Sequence, residues 1–189
     1  MPNPSNMRTG GQILVDQLKI HGVDTAFCVP GESYLAALDA LHDAPEIRLL
    51  TCRHEANAAN MAEAYGKLTG QPGICFVTRG PGACHAVVGL HTAFQDSSPM
   101  VLFVGQVGRS MMEREAFQEM DFRRFFGQVS KWSAEIHDPA RIPELVSQAF
   151  HVATSGRPGP VVLSLPEDML VELAGVGDAK AYRGVQAHP

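Results

Sequence analysis

Short apolar runs and amphipathic stretches alternate along this chain with little interruption. Gly10-Gly11 opens a stretch in which Ile13, Leu14, Leu18 and Ile20 recur at helical spacing, and His21-Gly22 gives a stop signal. Thr25 to Val29 reads as a strand closed by Pro30-Gly31, followed by a helix through Leu35, Leu38 and Leu41. Ile47 to Leu50 is the next strand, and a helix of small residues runs from Glu55 through Ala64-Tyr65 to Thr69-Gly70. Gly73 to Thr78 is apolar, then Gly80-Pro81-Gly82 leads into a helix with Val87, Val88, Leu90 and Ala93. Pro99 to Val104 forms another strand. After Gly105 the rhythm breaks, and Met111 to Gly127, charged and rich in phenylalanine, reads as an irregular excursion with a short helix. Val129 to Trp132, a helix from Pro139 to Thr154 and a strand from Pro160 to Leu165 restore the order.

Strand runs that are apolar throughout, rather than alternating, suit a parallel sheet covered on both faces. Helices between them make each connection a right-handed crossover. The expectation is therefore one α/β domain, a doubly wound parallel sheet of about six strands with helices on both faces. It spans residues 9–172, after a flexible N-terminus at 1–8. Beyond Leu173 periodicity gives way to Gly, Ala and isolated charges, so residues 173–189 read as a linker toward a further domain.

Composition mainly excludes. A net charge of -5 with no basic stripe argues against nucleic acid. No apolar run approaches the roughly 18 residues of a membrane span. Met1 to Asn6 lacks the features of a signal peptide, which gives a cytoplasmic protein as the default reading. Cys28, Cys52, Cys75 and Cys84 contain no Cys-x-x-Cys pair, and the eight histidines show no His-x-x-x-His or His-x-His spacing. Neither a disulfide framework nor a protein-held metal is expected.

Ligands of such a sheet bind at the carboxyl ends of its strands. Those ends carry Pro30-Gly31-Glu32, His54-Glu55, Thr78-Arg79-Gly80-Pro81-Gly82 and Gly105-Gln106. Gly80-Pro81-Gly82 resembles a phosphate cradle, but His85 breaks the Gly-x-Gly-x-x-Gly fingerprint, no Gly-Lys-Ser/Thr follows, and Pro81 removes a donor. Cys84-His85 and Cys52-Arg53-His54 are sequence neighbours, which seldom face each other as nucleophile and base. No Gly-x-Ser-x-Gly elbow is present. Glu55 is the most pointed candidate. A lone carboxylate at a strand-to-helix junction with small residues after it can be approached by a flat ligand, and desolvation there lets a carboxyl hold a proton near neutral pH. A plainer reading is an acid favoured by the helix dipole in the first turn.

Six segments taken in order change that balance. Val29-Pro30-Gly31-Glu32, Arg53 to Tyr65, Thr78 to Gly82, Asp96-Ser97-Ser98-Pro99, Ala116 to Asp121 and Gly156 to Val161 closely resemble thiamine diphosphate enzymes of the acetolactate synthase type. The similarity covers about residues 9 to 172 and corresponds to that family's N-terminal pyrimidine-binding (PYR) domain. The resemblance implies that Glu55 hydrogen-bonds N1′ of the aminopyrimidine and promotes the tautomer that takes the proton from thiazolium C2. Arg53 and His54 are then expected to point away from it, since positive charge would stabilise the ionised carboxylate.

The resemblance also puts Pro30, Gly31, Thr78, Gly80, Pro81, Gly82 and His85 beside the cofactor, although many relatives have Asn where His85 stands. Phe117 and Gln118 match a segment that lines the substrate side. Mg²⁺ and the diphosphate belong, in this family, to a Gly-Asp-Gly motif followed by Asn; here Gly177-Asp178-Ala179 is the nearest approach. The resemblance implies that the diphosphate-binding domain and the central domain, which binds FAD in some relatives, lie outside these residues. The implied function is the pyrimidine-binding half of an enzyme decarboxylating and ligating 2-oxo acids, with the chain alone inactive. Benzoylformate- or sulfopyruvate-type decarboxylation is a branch of the same reading. The alternatives are a non-catalytic α/β ligand-binding domain or a subunit-interaction domain. The partners implied are a second copy, as a homodimer or higher oligomer, a diphosphate-binding domain on the same or another chain, and a 2-oxo acid. The small face of Ala56, Ala59, Ala62 and Glu63 is expected to receive the second copy.

Overall fold

In a computed structural model that describes residues 7–181, fifteen helices and strands succeed one another. They are β1 (Arg8–Thr9), α1 (Gly10–Ile20), β2 (Thr25–Cys28), α2 (Leu35–His42), β3 (Arg48–Thr51), α3 (Glu55–Thr69), β4 (Gly73–Val77), α4 (Gly80–Asp96), β5 (Met100–Gln106), α5 (Phe122–Phe125), β6 (Trp132–Glu135), α6 (Ile142–Thr154), β7 (Pro160–Pro166), α7 (Glu167–Val171) and β8 (Leu173–Ala174). Six strands form one sheet in the order β3-β2-β4-β5-β7-β6, every pairing parallel.

Residue alternation along buried strands divides the core into two layers. Ile74, Phe76, Val101 and Phe103 face α1, α2 and α6, where Ile13, Leu14, Leu41 and Val146 meet them. Cys75, Val77, Leu102 and Val104 face α3, α4 and α5, against Ala59, Ala62, Ala86, Leu90 and Phe122. The doubly wound α/β expectation holds. The small residues of the second layer let α3 and α4 lie close together on the sheet, so that their first turns end side by side.

Three expectations need correction. The strand placed at 129–132 forms instead at Trp132–Glu135, because Val129 and Ser130 still bond back to the Phe126 carbonyl and finish the α5 turn. Arg8 and the first residues after 172 are not loose: Arg8 pairs with Ala174 and Thr9 with Leu173. The Arg8 guanidinium bonds Asp16 at 2.7 Å, the Val176 carbonyl at 2.9 Å and Asp178 at 2.7 Å. Residues 1–6 and 182–189, the remainder of those two assignments, lie outside the described residues. Finally, the small face of α3 is used within the chain: Ala59, Ala62 and Glu63 are buried against α4, β4 and Ser98.

Among the described residues no helix is long and apolar enough to cross a membrane.

Candidate functional site

The chain leaves β2 for β3 on one side and β4 for β5 on the other, so the crevice between the ends of β2 and β4 is the topological switch point. Beyond β3 the Cys52 amide makes one more ladder bond, to the Cys28 carbonyl at 2.7 Å. His54 then caps α3: its Nδ1 accepts the Ala56 amide at 3.2 Å. Glu55 is thereby fixed as the first residue of the helix, where the dipole favours an acid.

Its carboxylate turns toward α4, where the His85 Nδ1 lies 2.9 Å from Oε2. The side chain of Glu55 is 14% exposed and that of His85 53%. The His54 ring stacks on the His85 ring with centroids 4.7 Å apart and planes at 28°. The expectation that His54 points away from Glu55 is therefore wrong; capping the helix keeps its ring at the site. Because one ring lies ahead of α3 and the other on α4, no local histidine spacing announced the pair. Ligand atoms of His54, Glu55 and His85 fall within 4.8 Å of one another. The surroundings suit a proton better than a metal ion, since two helix N-termini converge there and the His54 Nδ1 lone pair is engaged by an amide.

Thr78 forms the floor between the two ends. Its hydroxyl is 2.8 Å from that of Ser33, and Gly31 is so close that a Cβ there would lie 2.5 Å from the Thr78 Cβ. A Cβ on Gly82 would lie 3.2 Å from Thr78 Cγ2 and 3.5 Å from Glu55 Oε1. Gly82 is itself buried, so the lack of a side chain there keeps the packing between Thr78 and Oε1 uncrowded. Ser33, which the sequence did not single out, is buried against Gly105, where a Cβ would come within 2.0 Å of its Oγ. Tyr34 donates to the Val29 carbonyl at the same end, and burial pushes its phenol above the ordinary range, keeping it a donor.

The Gly80-Pro81-Gly82 turn is no phosphate cradle. The Gly80 amide is spent on the Gln118 carbonyl at 2.9 Å, and Pro81 has none to offer. Through this bond the excursion after β5 reaches the site. Phe117 is 71% exposed, and Gln118 holds φ at 64°. Arg79, also missed by sequence reasoning, lies buried beneath it, 2.5 Å from Glu167 and 3.6 Å from Glu32. Contacts thus run from Gly31 through Thr78 and Gly82 to Glu55 and His85, with Gly80 touching the backbone of Gln118. Pro30 and Pro81 stand at its exposed margin.

Residues 8–125 match the family described as thiamine pyrophosphate enzyme, N-terminal TPP binding domain. The chain belongs to that family. Its relatives include the acetolactate synthase large subunit of Parasynechococcus marenigrum, 43% identical over 164 residues, covering 85% of this chain and 27% of that protein. The large subunit of Lactococcus lactis is 39% identical over 171 residues, 90% of this chain and 30% of the relative. The mitochondrial catalytic subunit of Saccharomyces cerevisiae is 40% identical over 161 residues, 85% of this chain and 23% of the relative. The chain spans about a quarter of the length of these proteins. They are acetolactate synthases, and nothing among them supports the benzoylformate or sulfopyruvate branch. Since the yeast relative is mitochondrial and an Arabidopsis thaliana relative chloroplastic, membership in the family fixes no compartment.

Within this TPP-binding family the residues suit the pyrimidine end of the cofactor. The Glu55 Oε1 stands beside Gly82, and glycine at 31 and 82 adds no side-chain bulk around Thr78 and the carboxylate. For the diphosphate there is no free amide cradle at α4, and Asp178 of Gly177-Asp178-Ala179 is engaged by Arg8 and Gln17.

Proposed function

We infer that this chain provides the aminopyrimidine-binding half of a thiamine diphosphate-dependent enzyme that decarboxylates a 2-oxo acid and ligates the product, as an acetolactate synthase does. The observation that carries the inference is the Glu55 carboxylate, largely buried at the head of α3, with Oε2 on His85 and Oε1 beside Gly82. When bound, thiamine diphosphate supplies the electron sink for loss of carbon dioxide. Oε1 would hold or release the proton shared with the pyrimidine ring nitrogen. Gly31, Thr78, Gly80 and Gly82 would give the flat ring close access, with Pro30 and Pro81 at the rim. His85 would steady the carboxylate, and Phe117 and Gln118 would border the substrate.

Mg²⁺ and the diphosphate would be held by a separate domain of the same or another chain, since this sequence has no Gly-Asp-Gly. FAD, where the whole enzyme uses it, would sit outside residues 9–172. Self-association would use outer faces of α3 and α4, where Met61 is 42% and Val88 56% exposed.

The test is Glu55→Gln in the gene product isolated from its own cells with whatever domain or subunit completes it. Turnover of pyruvate should fall by about 10²- to 10⁴-fold, with the circular dichroism spectrum unchanged. Wild-type turnover in the variant would refute the assignment. Intact mass, with sequence read past Pro189 if it exceeds 20.4 kDa, locates the diphosphate site.

A further inference from the structure

We propose that His85, aligned by His54, carries protons between solvent and the Oε2 atom of Glu55. The proposal rests on the reading of Glu55 above and adds a route by which its carboxyl group is reloaded while a ligand covers Oε1.

In the state before transfer Glu55 is the ionised carboxylate, which only accepts hydrogen bonds, so the 2.9 Å contact then places hydrogen on the His85 Nδ1 and the relay uses the Nε2 lone pair. His54 accepts the Ala56 amide at Nδ1, so its own hydrogen sits on Nε2. The two stacked rings are thus opposite tautomers. With 53% of its side chain exposed, His85 links water to a carboxylate that is 14% exposed. The titratable groups it meets are Glu55, by hydrogen bond, and His54, by stacking.

The transfer balances in atoms and charge. A solvent acid gives a proton to Nε2, the Nδ1–H bond breaks, and a bond forms from that hydrogen to Oε2. The imidazole ends neutral as the Nε2–H tautomer and Glu55 ends as the neutral acid. The reverse sequence returns the proton to solvent. His85 acts through Glu55 and is a positioning residue for its proton, while His54 holds the ring plane.

Two measurements test the proposal. Long-range ¹H–¹⁵N NMR of the labelled chain, without cofactor, should show His85 as Nδ1–H and His54 as Nε2–H, and Glu55→Ala should return His85 to the Nε2–H form common in solution. An Nε2–H His85 in the wild-type chain overturns the dyad. In the assembled holoenzyme, His85→Ala should slow deuterium exchange at C2 of bound thiamine diphosphate by roughly 10²-fold, and added imidazole should restore it. Wild-type exchange in His85→Ala, or a loss that imidazole does not restore, overturns the relay. Failure of the underlying reading looks different: Glu55→Gln would then exchange as fast as wild type.

Discussion

Gly82 is where one methyl group would separate folding from binding. A Cβ there meets Thr78 Cγ2 at 3.2 Å and Glu55 Oε1 at 3.5 Å, contacts that neighbours accommodate with small shifts. Replacing a helical Gly by Ala gains up to about 1 kcal/mol of helix propensity, which offsets the crowding. Gly82→Ala is therefore expected to melt within a few degrees of the wild type by calorimetry, while thiamine diphosphate binding to the assembled enzyme weakens by about tenfold or more, some 1.4 kcal/mol. Asp168 gives a residue-scale pH dependence. Burial raises its pKa, but the amide and guanidinium of Arg109 together lower it, and the net direction is down. A depressed carboxylate contributes stability above its unfolded pKa of about 4 and loses it as pH falls through the folded value. The stability gap between wild type and Asp168→Asn, measured by urea unfolding, should narrow from about pH 6 to about pH 3.

At the scale of elements, the α3–α4 pair decides where the site lies. A Cβ on Gly89 of α4 would come within 2.7 Å of the Ala59 Cβ on α3 and 2.6 Å of its carbonyl carbon. Gly89→Ala should therefore overpack the pair and cost about 1–3 kcal/mol in denaturant unfolding. A second outcome follows from the same displacement: the His85 tautomer signal should move toward that of Glu55→Ala, because the first turns no longer align. Glu63 ties the middle of α3 to Ser98 through a buried 2.7 Å bond. Periodicity made both helices legible, and the small residues showed that something approaches α3 closely. That the close neighbour is α4, rather than another copy, followed only from how the crossovers wind.

For the whole molecule, the clasp of β1 with β8 brings the two ends of the described chain together beside α1 and α7. Arg8 joins them through Asp16, Val176 and Asp178. Arg8→Ala should free residues 173–178 to rapid amide exchange while changing global stability by about 1 kcal/mol or less, as partly exposed ion pairs do. Self-association is the other property at this scale. Sedimentation at increasing concentration should show a dimer or larger species that Val88→Asp disperses, since a charge on that exposed helical face opposes apolar contact.

The sequence by itself determined the six parallel strands, the two helical layers and the carboxylate at the start of α3, because each depends on local periodicity, turn residues and capping. It also carried the ordered motifs that place the chain with thiamine diphosphate enzymes. Tertiary structure alone decided that His54 stays beside Glu55, that His85 reaches its Oε2, and that Arg79 and Ser33 lie buried under the site. It also turned Leu173 and Ala174 into a strand. These outcomes join residues far apart in the chain, through the winding of crossovers and the meeting of two helix ends, and no local pattern of apolar and polar positions encodes such a meeting.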